Sequence, residues 1–197
     1  MGPTLKLISA IVLAAGKSER MGRPKALLPI GTWTFLERIL DAISRSSIGH
    51  TVVVVGHHRE EIEKQIALPS VVFNPDYERG MITSFQAGLR ALPPGVAGTF
   101  LFLVDHPLAD TATIEAMVPS LAPNRIVLPV FEGRRGHPVL FGADVFGEIL
   151  ALAPSQGANI VVRKDPHRIV EVSVDAAGIL VDIDTPEQYE RLMESET

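Results

Sequence analysis

The chain has 197 residues, of which 46% are hydrophobic, and a formal net charge of -5 at pH 7. This length suits one domain with a buried core, and the negative charge argues against the broad basic face of proteins that bind nucleic-acid backbones. The chain lacks cysteine, which excludes disulfides and thiolate chemistry, and its six histidines lack the spacing of a helical zinc site. We therefore expect no structural transition metal and no nucleic-acid partner.

No apolar segment approaches the roughly 18 residues that are needed to cross a bilayer. The apolar stretch at residues 5–15 runs directly into a charged loop and lacks the small-residue cleavage pattern of a signal peptide. We therefore expect a cytoplasmic protein without a membrane partner, and we expect residues 1–197 to form a single domain.

Short apolar segments rich in β-branched residues recur along the chain between Gly, Pro or Asn residues. Each is too short for a full helix and predicts a buried strand; they are residues 8–13, 51–55, 71–73, 100–104 and 125–130. Between them, apolar residues at helical spacing predict amphipathic helices; examples are Leu36, Ile39, Leu40 and Ile43, and then Ile114, Met117, Val118 and Leu121. This alternation predicts an α/β fold, a three-layer αβα domain with a mainly parallel, Rossmann-like sheet that binds ligands at the carboxyl ends of its strands.

The last third of the chain has a different pattern. Residues 137–141 and 168–174 are predicted strands, residues 175–178 form a predicted tight turn, and residues 179–183 are a predicted returning strand. Together they predict a C-terminal β-hairpin at the edge of the sheet. A final helix is predicted from Thr185 as N-cap, Pro186 at the first helical position and Glu187 in the first turn.

The first predicted strand ends in a loop rich in small and basic residues. Residues 13–25 read Leu-Ala-Ala-Gly-Lys-Ser-Glu-Arg-Met-Gly-Arg-Pro-Lys. Backbone N–H groups of such a loop can bind phosphate oxygens while Arg20 and Lys25 supply positive charge. A P-loop is excluded because Ile11 stands where its first glycine is required, and no G-x-G-x-x-G follows any strand. The residues alone leave open a phosphate site or a solvated surface loop.

The loop resembles the signature L-A-A-G-x-S-x-R-M-G-x-x-K of the MobA-like nucleotidyltransferases, and among them the molybdenum cofactor cytidylyltransferases. The resemblance implies a fold of the nucleotide-diphospho-sugar transferase (GT-A-like) type. It also implies a Mg²⁺-dependent transfer of CMP from CTP to the phosphate of a molybdopterin-type acceptor, with release of pyrophosphate. The implied nucleotide-binding residues in the loop are Leu13, Ala14, Ala15, Gly16, Arg20 and Lys25, with Arg20 and Lys25 also catalytic. Because guanylyltransferases of the family tend to have L-A-G-G here, the methyl group of Ala15 favours CTP over GTP.

A second element follows the predicted strand at residues 71–73. Asn74-Pro75, Gly80-Met81 and Ser84 resemble the family pattern N-P-x-x-x-x-G-M-x-x-S. The resemblance implies nucleotide contacts for Asn74, Gly80 and Ser84. Without it, Asn74-Pro75 is equally well interpreted as a turn and Gly80 as a helix entry.

Two acidic positions carry the expected metal site. Asp105 follows the strand at residues 100–104, and in the family it opens the sequence D-Q-P, although this chain has His106 in place of Gln. Residues 182–186 resemble the family element D-x-D-T-P, which implies Asp184 as second Mg²⁺ ligand, with Asp182 as the alternative. Asp184 could instead be an ordinary helix-start carboxylate. Asp105 is also an expected catalytic residue.

The stretch Gly136-His137-Pro138-Val139-Leu140-Phe141 resembles the family segment that faces the acceptor. The implied acceptor-binding residues are Arg135, Gly136, His137 and Pro138. Residues 155–159 depart from the usual G-D-x-G-A-R, which leaves the acceptor open. The alternatives are a guanylyltransferase on the same cofactor, a cytidylyltransferase for a sugar or polyol phosphate, and a non-catalytic carrier that delivers molybdenum cofactor to a molybdoenzyme.

Overall fold

Ten strands and seven helices alternate along residues 7–195, the part of the chain that this computed structural model describes. The first two residues of the apolar stretch 5–15 lie outside that range. The strands are β1 Ile8–Ala14, β2 Pro29–Ile30, β3 Trp33–Thr34, β4 His50–Val55, β5 Val71–Phe73, β6 Gly98–Leu103, β7 Ile126–Phe131, β8 Arg134–Arg135, β9 Val139–Gly142 and β10 Ile169–Ser173. The helices are α1 Phe35–Ser44, α2 Arg59–Gln65, α3 Met81–Arg90, α4 Thr111–Met117, α5 Phe146–Leu150, α6 Asn159–Lys164 and α7 Pro186–Ser195.

One large sheet organises the molecule, with strand order β10-β7-β9-β6-β1-β4-β5 and β8 paired to β7. Strands β6, β1, β4 and β5 run parallel, β10 runs parallel to β7, and β9 lies antiparallel between β6 and β7. The predicted α/β class with a mainly parallel sheet is therefore confirmed. Because the chain continues from β1 to β4 on one side and returns to β6 on the other, the loops after β1 and β6 flank a crevice, where α/β proteins bind ligands.

Helices cover both faces of the sheet. All seven residues of β1 are buried, as expected for a strand with a helix layer on each side. Successive side chains alternate between the layers: Val12 packs in the cluster with Leu36 of α1 and Ile114 of α4, whereas Ile11 packs with Phe85 of α3 and Ile149 of α5. The core therefore lies in two slabs on either side of one sheet. No helix within residues 7–195 is long and apolar enough to cross a membrane.

A third apolar cluster lies at the carboxyl end of the sheet. It contains Met21, Leu28, Ile30, Phe35, Ile183 and Leu192. These residues come from the loop after β1, from the β2–β3 ribbon, from α1 and from the C-terminal segment. The cluster fixes the loop that follows β1 against the residues that precede α7, although the two are remote in sequence.

The predicted C-terminal hairpin is wrong. Residues 177–180 form a short 3-10 helix, residues 179–183 contain no strand, and β10 pairs in parallel with β7 instead. The alternating Ile179, Val181 and Ile183 suggested a strand, but Ile179 and Ile183 are buried at the end of the sheet. The Ile183 N–H donates to the Asp105 carbonyl at 2.9 Å, so this segment crosses the carboxyl ends of the strands. The predicted final helix is present as α7.

Candidate active site

A cavity of about 510 Å³ opens at the carboxyl ends of β1 and β6. Its volume falls within the roughly 300–1,000 Å³ of typical small-molecule sites. The predicted site residues that line it are Leu13, Ala14, Ala15, Gly16, Arg20, Lys25, Ser84, Asp105 and Asp184. The fold therefore brings the loop after β1, the start of α3, the end of β6 and the residues before α7 to one place.

The loop after β1 is held in a defined shape by its own hydrogen bonds. The Lys25 N–H donates to Ser18 Oγ at 3.1 Å, and the Met21 N–H donates to the Ser18 carbonyl at 3.0 Å. Ser18 has a φ of 55°, in the left-handed region that few non-glycine residues adopt. Met21 is buried in the third apolar cluster. These contacts fix the backbone between the predicted phosphate-binding residues, and they involve Ser18, which is the Ser of the loop signature but was not among the predicted site residues.

Two cations of the loop contact the acidic residue before α7. Lys25 Nζ donates to Asp184 Oδ1, and Arg20 Nη2 donates to Asp184 Oδ2 at 2.6 Å. Lys25 Nζ also lies 3.6 Å from Asp105 Oδ2, and only 11% of the Lys25 side chain is exposed. The hydrogen bond from Lys25, together with that from Arg20, lowers the pKa of Asp184. Lys25 therefore lies between two carboxylates, where an anionic ligand would compete with them for its charge.

A third carboxylate, that of Asp182, lies on the same side of the sheet. Burial raises its pKa, and the negative charges of Asp105 and Asp184 raise it further. Asp105, His106 and Asp182 offer ligand atoms that all lie within 4.8 Å of one another. Asp184, the expected second ligand, is outside this group and holds Lys25 and Arg20. The structure therefore groups Asp105 with the alternative acid, Asp182.

The predicted element at the start of α3 contributes one lining residue and a buried support. The Asn74 side chain donates to Thr83 Oγ1 and Ser84 Oγ, both at 2.9 Å, and accepts from the Asp76 N–H at 3.0 Å. Asn74 is buried, and neither it nor Gly80 lines the cavity, whereas Ser84 does. Asn74 is thus placed to orient Ser84.

Further residues that were not among the predicted site residues also line the cavity. Lys17 Nζ and Glu78 Oε1 form an ion pair at 2.7 Å, and this contact raises the pKa of Lys17 and lowers that of Glu78. His58 Nε2 lies 3.0 Å from the Lys17 carbonyl oxygen. Met81 lines the cavity with 57% of its surface exposed. Lys17, Glu78 and Met81 lie within the two recognised motifs, and Met81 is the Met of the second pattern, whereas no local signal pointed to His58.

The predicted acceptor segment lies beside the acidic group and outside the lining of the cavity. The His137 ring contacts the His106 ring, with centroids 4.6 Å apart. Burial, and to a lesser extent the charge of His106, lowers the pKa of His137 to about 4, so the ring is neutral at pH 7. The His137 N–H donates to the Ile179 carbonyl at 3.0 Å, and Arg135 Nε donates to Glu171 Oε1 at 2.6 Å. Gly136 and Pro138 flank His137 and are buried.

The chain is similar to known proteins over most of its length. Residues 10–170 match a family model described as the MobA-like NTP transferase domain. A molybdenum cofactor cytidylyltransferase of Escherichia coli is 30% identical, over 94% of this chain and 95% of its own length. A protein of Paenarthrobacter nicotinovorans named nicotine blue oxidoreductase is 29% identical, over 98% of this chain and 100% of its own length.

Solved structures show the same fold. Rv0371c of Mycobacterium tuberculosis superposes with a TM-score of 0.88 at 32% identity and covers 97% of this chain and 99% of that one. A structure of the same mycobacterial protein as a complex with manganese superposes with a TM-score of 0.83 at 29% identity and covers 96% of this chain and 99% of that one.

Proposed function

The chain belongs to the MobA-like NTP transferase family, and on this premise we propose that this nucleotidyltransferase moves CMP from CTP to the phosphate of a molybdopterin-type acceptor, releasing pyrophosphate. The observation that carries the proposal is the position of Lys25 between Asp105 and Asp184 at the wall of the cavity. The relative named as a molybdenum cofactor cytidylyltransferase supports the choice of nucleotide and acceptor.

The reaction that fits this site is an in-line displacement at the α-phosphorus of the triphosphate. An acceptor phosphate oxygen forms a bond to phosphorus, the bond to the bridging oxygen of the β-phosphate breaks, and pyrophosphate leaves. Since the attacking and leaving groups are both anionic, the main task is to neutralise charge. We propose that Lys25 and Arg20 give up their hydrogen bonds to Asp184 and donate to phosphate oxygens instead. The acceptor phosphate is already ionised, so the mechanism needs no general base.

The acidic residues fit a divalent cation, for which the resemblance implies Mg²⁺. Asp105 Oδ1 is buried and, within residues 7–195, has no hydrogen-bond partner, as expected of an oxygen that is directed at a metal. We propose Asp105 as the principal ligand. The second ligand is either Asp182 or Asp184, the latter once Lys25 has released it. A bound cation would neutralise phosphate charge. The mycobacterial structure described as a complex with manganese supports a divalent ion.

The remaining predicted residues take supporting roles in this proposal. Backbone groups of residues 13–16 and the Ser84 hydroxyl contact the nucleotide, and Asn74 and Gly80 hold Ser84 in place. The Ala15 side chain shortens the base pocket, which favours CTP. Residues 135–138, beside the acidic group, contact the acceptor. We further propose that residues 1–197 are one MobA-like domain and that the protein acts in the cytoplasm.

The decisive experiment measures pyrophosphate release from CTP, GTP and ATP separately, with molybdopterin cofactor as acceptor and Mg²⁺ or Mn²⁺ present. We expect turnover with CTP and its loss in Asp105→Asn. Turnover with GTP alone would keep the mechanism and refute the base assignment. If nucleotide binds but no pyrophosphate is released, the acceptor is a sugar or polyol phosphate, which the same assay tests, or the protein is a carrier.

A further inference from the structure

His106 lies within reach of two carboxylates at the carboxyl end of β6. An imidazole nitrogen of His106 and carboxylate oxygens of Asp105 and Asp182 lie within 4.8 Å of one another. The turn after β6 presents Asp105 and His106 together, because the His106 N–H donates to the Leu103 carbonyl at 3.0 Å. The bond from the Ile183 N–H to the Asp105 carbonyl brings Asp182 alongside. These backbone hydrogen bonds therefore bring three possible metal ligands together.

Two of these possible metal ligands have buried atoms without hydrogen-bond partners. Among the described residues, neither Asp105 Oδ1 nor His106 Nδ1 has a hydrogen-bond partner, although both atoms are buried, and the same holds for Nδ1 of the neighbouring His137. Buried polar atoms are normally satisfied, so two adjacent exceptions call for a ligand. A cation bound by Asp105 and by one ring nitrogen of His106 would give these side chains a partner, since a carboxylate oxygen and a neutral imidazole nitrogen each offer a lone pair.

The second predicted acid, Asp184, is already engaged. Its two carboxylate oxygens accept from Lys25 and Arg20, so in this arrangement Asp182 is the available carboxylate. The His106 ring packs against the His137 ring, with a centroid distance of 4.6 Å. This contact limits the orientations that the imidazole can adopt, and neighbouring groups often orient the histidine ligands of metals in this way.

We propose that His106 is a nitrogen ligand in a mixed site with Asp105 and Asp182, and that the site binds a divalent first-row transition ion, such as Mn²⁺ or Co²⁺, in preference to Mg²⁺. Divalent ions of this size hold nitrogen and oxygen ligands at roughly 2.0–2.2 Å, so the three ligand atoms would move closer together when an ion binds. Imidazole favours transition ions, whereas Mg²⁺ prefers carboxylate oxygen and water.

This inference extends the proposed function, because the ion in question is the one that would neutralise the triphosphate. Its test uses metal binding alone. Mn²⁺ is titrated into the full-length protein without nucleotide, the bound fraction is followed by electron paramagnetic resonance, and pulsed spectra record nitrogen coupling to the ion. Mg²⁺ affinity is obtained by competition. The variant is His106→Gln, and the control is His167→Gln, an exposed histidine elsewhere on the surface.

We expect nitrogen coupling in the wild-type protein and in His167→Gln, and its loss in His106→Gln. The Mn²⁺ affinity of His106→Gln should fall by about 10-fold or more, with a much smaller change for Mg²⁺. Wild-type protein that binds Mn²⁺ without nitrogen coupling would overturn the inference, even if His106→Gln fails to fold. An unchanged Mn²⁺ affinity in folded His106→Gln would also overturn it. Nitrogen-coupled Mn²⁺ without pyrophosphate release would support the metal site and refute the proposed function.

Discussion

At the scale of single residues, Lys25 is the side chain on which the proposed chemistry depends most. It is nearly buried, lies between Asp105 and Asp184, and is anchored through its backbone to Ser18. Its charge is therefore preorganised where phosphate charge would develop. Arg20, by contrast, is 67% exposed and reaches Asp184 from the solvent side. Arg20 should therefore contribute less to turnover than Lys25.

We expect Lys25→Ala to lower turnover by roughly 10²–10³, the usual effect of removing one preorganised donor from an anion site. Loss of the lysine hydrogen bond should also raise the pKa of Asp184, since that bond is the main cause of its low value. Steady-state pyrophosphate release measures the first effect. Lys64→Ala on the exposed face of α2 is the control. A folded Lys25→Ala protein with wild-type turnover would exclude the assigned role.

Another residue, His106, shows how a single departure from a family pattern gains meaning from its neighbours. In the sequence it is only a substitution for the usual Gln, and its spacing from other histidines gave no metal pattern. In the structure it adjoins Asp105 and Asp182, and it contacts His137. The sequence motif therefore located the position, and tertiary contacts supplied its chemistry.

At the scale of elements, the entrance to α3 depends on one glycine. Gly80 has a φ of 132°, and a Cβ atom built on it would lie 2.3 Å from the Pro154 carbonyl oxygen. The loop between α5 and α6 therefore packs directly against the residue that precedes α3. Because α3 carries Ser84 to the cavity, this close approach also sets the position of the cavity wall.

We expect Gly80→Ala to lower the free energy of unfolding by at least about 2 kcal/mol, from backbone strain combined with the clash. Urea denaturation measures the loss, and nucleotide affinity should fall with it. Gly147→Ala in α5 is the matched control, since its added Cβ meets nothing within 4 Å and alanine favours a helix by up to about 1 kcal/mol. Equal stability of Gly80→Ala and wild type would contradict the strain argument.

At the scale of the whole molecule, an ion cluster ties the helices of one face to the edge of the sheet. Glu148 of α5 accepts from Lys164 Nζ of α6 at 2.8 Å and from Arg168 Nη1, just before β10. The hydrogen bond from Arg168, followed by that from Lys164, lowers the pKa of Glu148 to about 2. Only 10% of the Arg168 side chain is exposed. Part of the global stability should therefore depend on pH.

A carboxyl group whose pKa is lower in the folded than in the unfolded state stabilises the folded protein. This contribution is complete at pH values above the unfolded pKa, and it is lost as the pH falls through the folded pKa. For Glu148 the window runs from about pH 5 down to about pH 2. Because Glu148 is partly exposed, its contribution is reduced by solvent screening. We therefore expect Glu148→Gln to lower the free energy of unfolding by about 1–2 kcal/mol at pH 7 and by almost nothing near pH 2. Chemical denaturation across this pH range measures the effect, with Glu190→Gln at an exposed position as the control. A stability difference between Glu148→Gln and wild type that does not change with pH would contradict the role assigned to Glu148.

The sequence by itself determined the α/β class, the loop at residues 13–25, helices α1, α4 and α7, and the strands β1, β4, β5, β6, β7, β9 and β10. Periodicity and capping residues act between near neighbours, so they can be read along the chain. That loop also identified the family, because its glycines, arginine and lysine have fixed spacing.

Only the tertiary structure decided which acid meets which partner. The burial of Ile179 and Ile183 at the end of the sheet overrode the strand pattern of residues 179–183. In the same segment, Asp184 accepts a hydrogen bond from Lys25, and Asp182 lies with Asp105 and His106. The pairing of Lys17 with Glu78 was equally invisible in the sequence. These contacts join residues far apart along the chain, and they depend on how apolar side chains pack around one sheet, which no local pattern encodes.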